Sequence, residues 1–223
     1  MKTLAGDTKK LYDHDAYLKE FEATVIEIDG NNVILDQTLF HPESGGQAGD
    51  TGVIGGTNVT DTKLSDGKIV HLLGSPPNLN VGDLVRGCLA WERRYKIMKL
   101  HSAAHIMEFF LFREFGELKR LGSFVDDRKD RADYEFEGKI PADRLKQVEN
   151  ETNKFLAEDH EITIKPDHKK PEIRIWRCDW MEMPCAGTHV RSTSEIGLIR
   201  LKRKNPGRGV ERIETSLLTV ESP

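Results

Sequence analysis

Short alternations of apolar and polar residues dominate the first third of the chain. Runs at 24–28, 33–35 and 68–73 are rich in β-branched residues, and they are separated by Asp29-Gly30-Asn31-Asn32, a glycine-rich stretch and Asp66-Gly67. Turn formers at such short intervals predict successive hairpins, hence a small barrel or curled sheet. Ser75-Pro76-Pro77-Asn78 interrupts the pattern, and Val81-Gly82-Asp83 opens another strand. The period changes at Trp91. From there to Phe115 proline and glycine are absent, and Ile97, Leu100, Ala104, Met107, Leu111 and Phe115 recur at helical spacing. This predicts an amphipathic helix that Gly116 ends. Further on, strands are expected at 123–125 and 132–136, and a second helix from Pro141, a good first-turn residue, to Glu158. Strands at 161–165 and 172–176 follow, then a hairpin of 197–202 and 210–217 across Asn205-Pro206-Gly207. The order predicts an α+β protein: a β-barrel over residues 1–87, then residues 88–223 with helices packed on an antiparallel sheet.

The length of 223 residues suits one large domain or two small ones, and 37% apolar with 31% charged residues marks a globular chain. A net charge of −4 offers no global basic field, so a nucleic-acid partner would be held by local patches. Three cysteines, Cys88, Cys178 and Cys185, are too few for a disulfide framework and fit a reducing compartment. The N-terminus has no apolar targeting segment, and no run approaches the ~20 apolar residues of a membrane span. The expectation is a cytoplasmic protein without a membrane partner; oligomeric state is left open.

The strongest chemical signal is a pair of distant motifs. His101-Ser102-Ala103-Ala104-His105 lies inside the first predicted helix, where positions i and i+4 share a face and can converge on one ion. Cys185-Ala186-Gly187-Thr188-His189 adds a thiolate and an imidazole on a glycine-containing turn. Three nitrogens and one sulfur form a set that suits zinc. Four closed protein ligands would equally make a structural site. A peptidase is excluded by Ser102, which stands where the HExxH type carries its glutamate base.

Taken together, several segments resemble one family. Gly82-Asp83, Trp91-Glu92-Arg93-Arg94, His101–His105, Gly122-Ser123-Phe124-Val125, Cys185–Val190 and Gly209-Val210-Glu211-Arg212-Ile213-Glu214 are similar, in order, to the editing domain of alanyl-tRNA synthetases. The stretch Gln37-Thr38-Leu39-Phe40-His41-Pro42-Glu43-Ser44-Gly45-Gly46-Gln47 resembles the glycine-rich segment before it, and Leu11-Tyr12 with Phe21-Glu22-Ala23 is typical of the freestanding AlaX proteins. The size is that of the medium type, which keeps the N-terminal barrel. The resemblance implies one zinc on His101, His105, Cys185 and His189. It also implies hydrolysis in trans of Ser-tRNA(Ala), with Gly-tRNA(Ala) as a second substrate. A non-catalytic zinc-stabilised RNA-binding module and a deacylase for another aminoacyl-tRNA are the alternatives.

Around that centre the resemblance places a substrate pocket with Ser102, Ala104, Arg120, Ser123 and Thr188. Ala104 and Arg120 depart from the usual residues there, and the other three offer hydroxyls. Gly45, Gly46 and Gln47 are expected to approach the tRNA end; tight turns alone would also explain the glycines. Arg200, Lys202, Arg203, Lys204, Arg208 and Arg212 concentrate positive charge in an acidic protein and are expected on the tRNA backbone. Trp91, Trp176 and Trp180 are expected in the core or at its edge, and His14, His41, His71, His160 and His168 mostly on the surface or in loops.

Overall fold

The computed structural model describes residues 8–207 and 209–218. They divide into two compact units: the described residues up to Ser44 together with Ala48–Tyr95, and Gly45–Gln47 together with the residues from Lys96 onward.

The first unit holds β1 (Lys9–Lys10), β2 (Glu20–Asp29), β3 (Asn32–Leu35), β4 (Gln37–Thr38), β5 (Gly52–Ile54), β6 (Thr57–Ser65), β7 (Lys68–Leu73) and β8 (Leu84–Leu89). Six of these strands close into a ring in the order β2-β3-β7-β6-β5-β8, with β8 pairing back to β2. A two-residue parallel pair of β1 and β4 lies outside it. The alternation that predicted strands is what fills the ring. Phe21, Ala23 and Val25 of β2 are buried, while Glu20, Glu22 and Ile26 beside them are exposed and Thr24 is half-buried. They pack with Val33, Leu35, Phe40, Ile54, Val59 and Val85. Consecutive strands joined by tight turns bury their apolar faces against one another, and closure leaves no exposed edge.

Leu39, His41 and Asp50 are tied together by an ion pair. Arg94, in the first turns of α1 (Trp91–Phe115), and Asp50 are both 1% exposed and bonded to each other. Arg94 Nη2 also donates to Leu39 O at 2.7 Å, and His41 N donates to Asp50 Oδ2 at 2.6 Å. Removing one partner of such a pair strands the other charge, which costs roughly 3–5 kcal/mol.

The second unit contains the rest of α1, β9 (Arg120–Val125), β10 (Asp130–Glu135), α2 (Ala142–Leu156), β11 (Ile162–Pro166), β12 (Arg174–Cys178), β13 (Met181–Pro184), β14 (Ile199–Gly207) and β15 (Val210–Leu217). One sheet runs β14-β15-β10-β9 and another β11-β12-β13, all antiparallel. Helix α2 buries Leu145, Val148, Thr152, Phe155 and Leu156, one stripe at helical spacing. It docks on edge strand β14, where Asn153 brackets the Ile199 backbone at 2.8 and 2.9 Å and Glu149 accepts from Leu201 N at 2.7 Å. Those bonds satisfy a sheet edge that would otherwise be open.

Several expectations are corrected. Helix α1 is buried on most of its circumference between Ile97 and Leu111, so it is a central helix rather than a one-sided amphipathic one. Pro141 caps α2 instead of forming its first turn. Strand β14 continues through Asn205-Pro206-Gly207, so the chain reverses beyond it. Strand β13 was not foreseen, and Trp180 at the β12–β13 turn is 63% exposed, with its edge on Phe155. His71 lies buried in β7 rather than on the surface or in a loop, and bonds Thr38 Oγ1 at 2.8 Å and the Val33 carbonyl at 3.0 Å; His41 is in a loop but is also buried. Among the described residues, no helix is long and apolar enough to cross a membrane.

Candidate metal centre

Helix α1 presents His101 and His105 one turn apart, and the loop after β13 carries Cys185 and His189 to them. One ligand atom from each of the four lies within 4.8 Å of all the others. Cys185 Sγ is 3.2 Å from His189 Nε2 and 3.6 Å from His101 Nε2. A tetrahedral zinc with bonds of ~2.0–2.3 Å holds its ligand atoms roughly 3.3–3.6 Å apart, so these separations need little adjustment. His105 Nε2 is buried with no hydrogen-bond partner, which a neutral imidazole tolerates poorly unless a cation takes its lone pair.

The surroundings fix the ring tautomers. Gln47 Oε1 lies 2.8 Å from His101 Nδ1 and also accepts from Thr188 N at 3.0 Å, while Gln47 Nε2 donates to Thr188 Oγ1 at 3.0 Å. An amide oxygen only accepts, so His101 carries its proton on Nδ1 and directs the Nε2 lone pair into the cluster. Ser102 does the same for His189. Its hydroxyl proton goes to Met98 O at 2.9 Å, leaving Oγ to accept from His189 Nδ1 at 3.1 Å. Burial, and secondarily the charge of Arg120, hold His105 down at about 3, so its ring is neutral. Burial pushes the Cys185 thiol up, opposed by the Gly187 N–H that reaches Sγ at 3.4 Å. A bound cation would favour the thiolate there.

Two glycines make this closeness possible. A Cβ on Gly187 would stand 2.3 Å from His101 Cε1 and 2.6 Å from Gln47 Oε1. Gly46 has φ +82°, and a Cβ there would meet Ser123 O at 2.8 Å. Val125 N donates to Gly46 O at 2.7 Å, so the segment Gly45–Gln47 runs along β9 as part of the second unit.

A recess opens beside His101 and His105. Gly45, Gly46, Ala104, Glu108, Arg120, Ser123, Val125, Asp130, Ala132 and Tyr134 line it. Of the residues expected in the pocket, Ala104, Arg120 and Ser123 line the recess; Ser102 and Thr188 are buried and do not, Ser102 bonding His189 and Thr188 bonding Gln47. Gly45 and Gly46 face the recess, but the Gln47 side chain is wholly enclosed and oriented toward His101 and Thr188 rather than outward. Glu108, Asp130 and Tyr134 escaped the sequence reading. Glu108 had a signal, since it continues the helix face of His101 and His105 at i+7 and i+3; Asp130 and Tyr134 had none.

Within the basic stretch, Arg200 and Lys202 are exposed. Arg203 pairs with buried Glu211 at 2.8 Å, Lys204 with Glu214 at 3.1 Å and Arg212 with Asp133 at 2.6 Å. Arg208 lies outside the described residues.

The comparisons with known proteins agree with this arrangement. Residues 8–93 match the model of class II (A) tRNA synthetases, and residues 173–214 that of the second additional domain of threonyl and alanyl tRNA synthetases. The alanyl-tRNA editing protein AlaX-M of Pyrococcus horikoshii is 38% identical, over 93% of this chain and 96% of its own. That of Saccharolobus solfataricus is 35% identical, over 92% and 97%. The alanine–tRNA ligase of Saccharolobus islandicus is 32% identical over 98% of this chain, which spans 27% of that enzyme. Fold and site therefore define a protein of the class built on the synthetase second additional domain. The ligase similarity extends over almost the whole chain. The chain belongs to the AlaX-M family of alanyl-tRNA editing proteins.

Proposed function

We propose that this protein is a zinc-dependent deacylase that hydrolyses Ser-tRNA(Ala), and Gly-tRNA(Ala) as a second substrate, acting in trans in the cytoplasm. The observation that carries the reading is the convergence of His101, His105, Cys185 and His189 beside a recess open to a small acyl group. Residues 1–87 are read as the barrel with its glycine-rich loop, supported by the closed ring of strands whose last member, β8, runs on to Leu89, and residues 88–223 as the editing domain.

A bound zinc would supply positive charge against which the ester carbonyl and the oxyanion developing on it are stabilised. The chain's own residues supply placement. Gln47 and Ser102 hold two imidazoles in the ligating tautomer, and Gly187 lets the loop close on His101. Glu108 accepts from Arg120 Nη1 at 3.1 Å and from Tyr134 OH at 3.0 Å, which fixes the far wall of the recess. Ala104 and Gly46 keep the entrance free of bulk. Arg200 and Lys202 are the residues best placed to meet tRNA phosphates; Arg203, Lys204 and Arg212 chiefly neutralise carboxylates of their own sheet.

The test is deacylation of Ser-, Gly- and Ala-charged tRNA(Ala) by purified protein. Hydrolysis of the first two, with Ala-tRNA(Ala) spared, is expected. A protein that binds zinc and tRNA but deacylates none of them would be a non-catalytic RNA-binding module, and hydrolysis confined to another aminoacyl-tRNA would replace the substrate.

A further inference from the structure

The recess beside the His/Cys cluster has a volume of about 30 Å³. A cavity needs roughly 10–15 Å³ of this kind to hold one water, so it takes a group of about two heavy atoms. Its polar wall is unevenly satisfied. Glu108 has Arg120 and Tyr134. Asp130, the first residue of β10, is 4% exposed, and its Oδ2 is buried with no hydrogen-bond partner. Thr215, directly opposite Asp130 in the β10–β15 ladder, also has a buried hydroxyl without a partner. A protein interior rarely leaves a buried carboxylate oxygen unpaired unless something else completes it.

We infer that Asp130 reads the side-chain hydroxyl of the aminoacyl group, making it the residue that separates a seryl from an alanyl ester. The inference rests on the proposed function, because it takes the aminoacyl end of tRNA as the ligand. A hydroxymethyl group matches the recess in size and brings one donor and one acceptor to the unpartnered Oδ2 of Asp130. An alanyl methyl fits equally well but displaces water from Asp130 without replacing its hydrogen bond. A glycyl group leaves room for that water to stay, so glycine is accepted by default. Burial, with Glu108 adding to it, pushes Asp130 up to about 8. As a carboxyl group it can meet a hydroxyl from either side, accepting as the carboxylate and also donating as the acid. Sites built around a substrate hydroxyl reject analogues lacking it because a buried polar group is left unpaired.

The experiment is calorimetric binding of non-hydrolysable 3′-seryl-, 3′-alanyl- and 3′-glycylamino-3′-deoxyadenosine to zinc-loaded wild type, D130N and D130L. Wild type is expected to bind the seryl analogue about tenfold or more tightly than the alanyl one. D130N, whose amide still donates and accepts, keeps most of that preference. D130L erases it, because the seryl analogue weakens while the alanyl one, which no longer leaves a buried carboxyl unpaired, binds more tightly; if D130L does not fold, D130A carries the same expectation. No seryl preference in wild type, its persistence in D130L or D130A, or equal weakening of all three analogues would overturn the assignment. Parallel deacylation of Ser-tRNA(Ala) by wild type separates the two claims. Seryl preference in binding without hydrolysis sinks the deacylase and leaves Asp130 standing; hydrolysis without an Asp130-dependent preference does the reverse.

Discussion

Replacing Gln47 by alanine removes three hydrogen bonds at once: to His101 Nδ1, Thr188 N and Thr188 Oγ1. All three residues involved are buried. The metal-free protein would be left with two buried N–H donors lacking an acceptor, at about 1–3 kcal/mol each if no water replaces the amide. That is a sizeable fraction of a typical folding stability of ~5–15 kcal/mol. Metal binding suffers separately, because His101 loses the acceptor that keeps its proton on Nδ1. Partners of this kind are generally worth 10–100-fold in metal affinity, or about 1.4–2.8 kcal/mol. Q47E discriminates between the two effects. Its carboxylate still accepts from both N–H groups, and its charge raises ligand basicity, so zinc affinity should equal or exceed that of wild type. The assay is zinc competition against a chromophoric chelator, paired with thermal unfolding of the metal-free variants. The expected order of affinity is Q47E at or above wild type, with Q47A at least tenfold weaker. If Q47A bound zinc within twofold of wild type, the orienting role of Gln47 would be refuted.

Other outcomes are as definite. G187A drives a methyl into His101 and Gln47, so chelator competition should register a loss of zinc affinity of about tenfold or more; undiminished affinity would mean the loop is not held as described. His71 is pushed down to about 4 by burial, against an ordinary value of 6.5. Between those values the unfolded chain binds the extra proton, so stability falls as pH drops from about 6.5 to 4, by up to ~3 kcal/mol from this group. Denaturant titrations at several pH values should find a shallower slope in H71Q. In metal-free protein the raised Asp130 acts with the opposite sign: the folded state holds the extra proton, so stability declines from about pH 4 to 8, and D130N should remove that decline. R200A/K202A should weaken tRNA binding and flatten its salt dependence by about two contacts, leaving the binding of small seryl analogues unchanged.

How far the sequence could be read depended on whether a signal was local. His101 and His105 declared themselves through helical spacing, and Cys185 and His189 through composition in a chain with three cysteines. The ring of strands followed from alternation and turn residues, as in β2. What escaped was non-local. Gln47 lies more than fifty positions from the histidine it orients, and only the pairing of its segment with β9 explains why Gly46 must be glycine. Asp130 begins a strand that any polar residue could begin; its meaning comes from the recess it faces. The burial of His71, in a set of histidines expected mostly on the surface or in loops, escaped for the same reason, since a lone histidine between apolar neighbours carries no local mark of burial. Among the basic residues near the C-terminus, charge was legible, but the carboxylates that absorb half of it are supplied by neighbouring strands.

The most direct measurement is the rate of Ser-tRNA(Ala) deacylation by purified protein before chelation, after it, and after stoichiometric zinc is returned, alongside C185A. Activity that disappears with the metal, returns with one zinc per chain and is absent in C185A is the predicted result. Deacylation that persists undiminished in chelated, metal-free protein or in C185A would contradict the account.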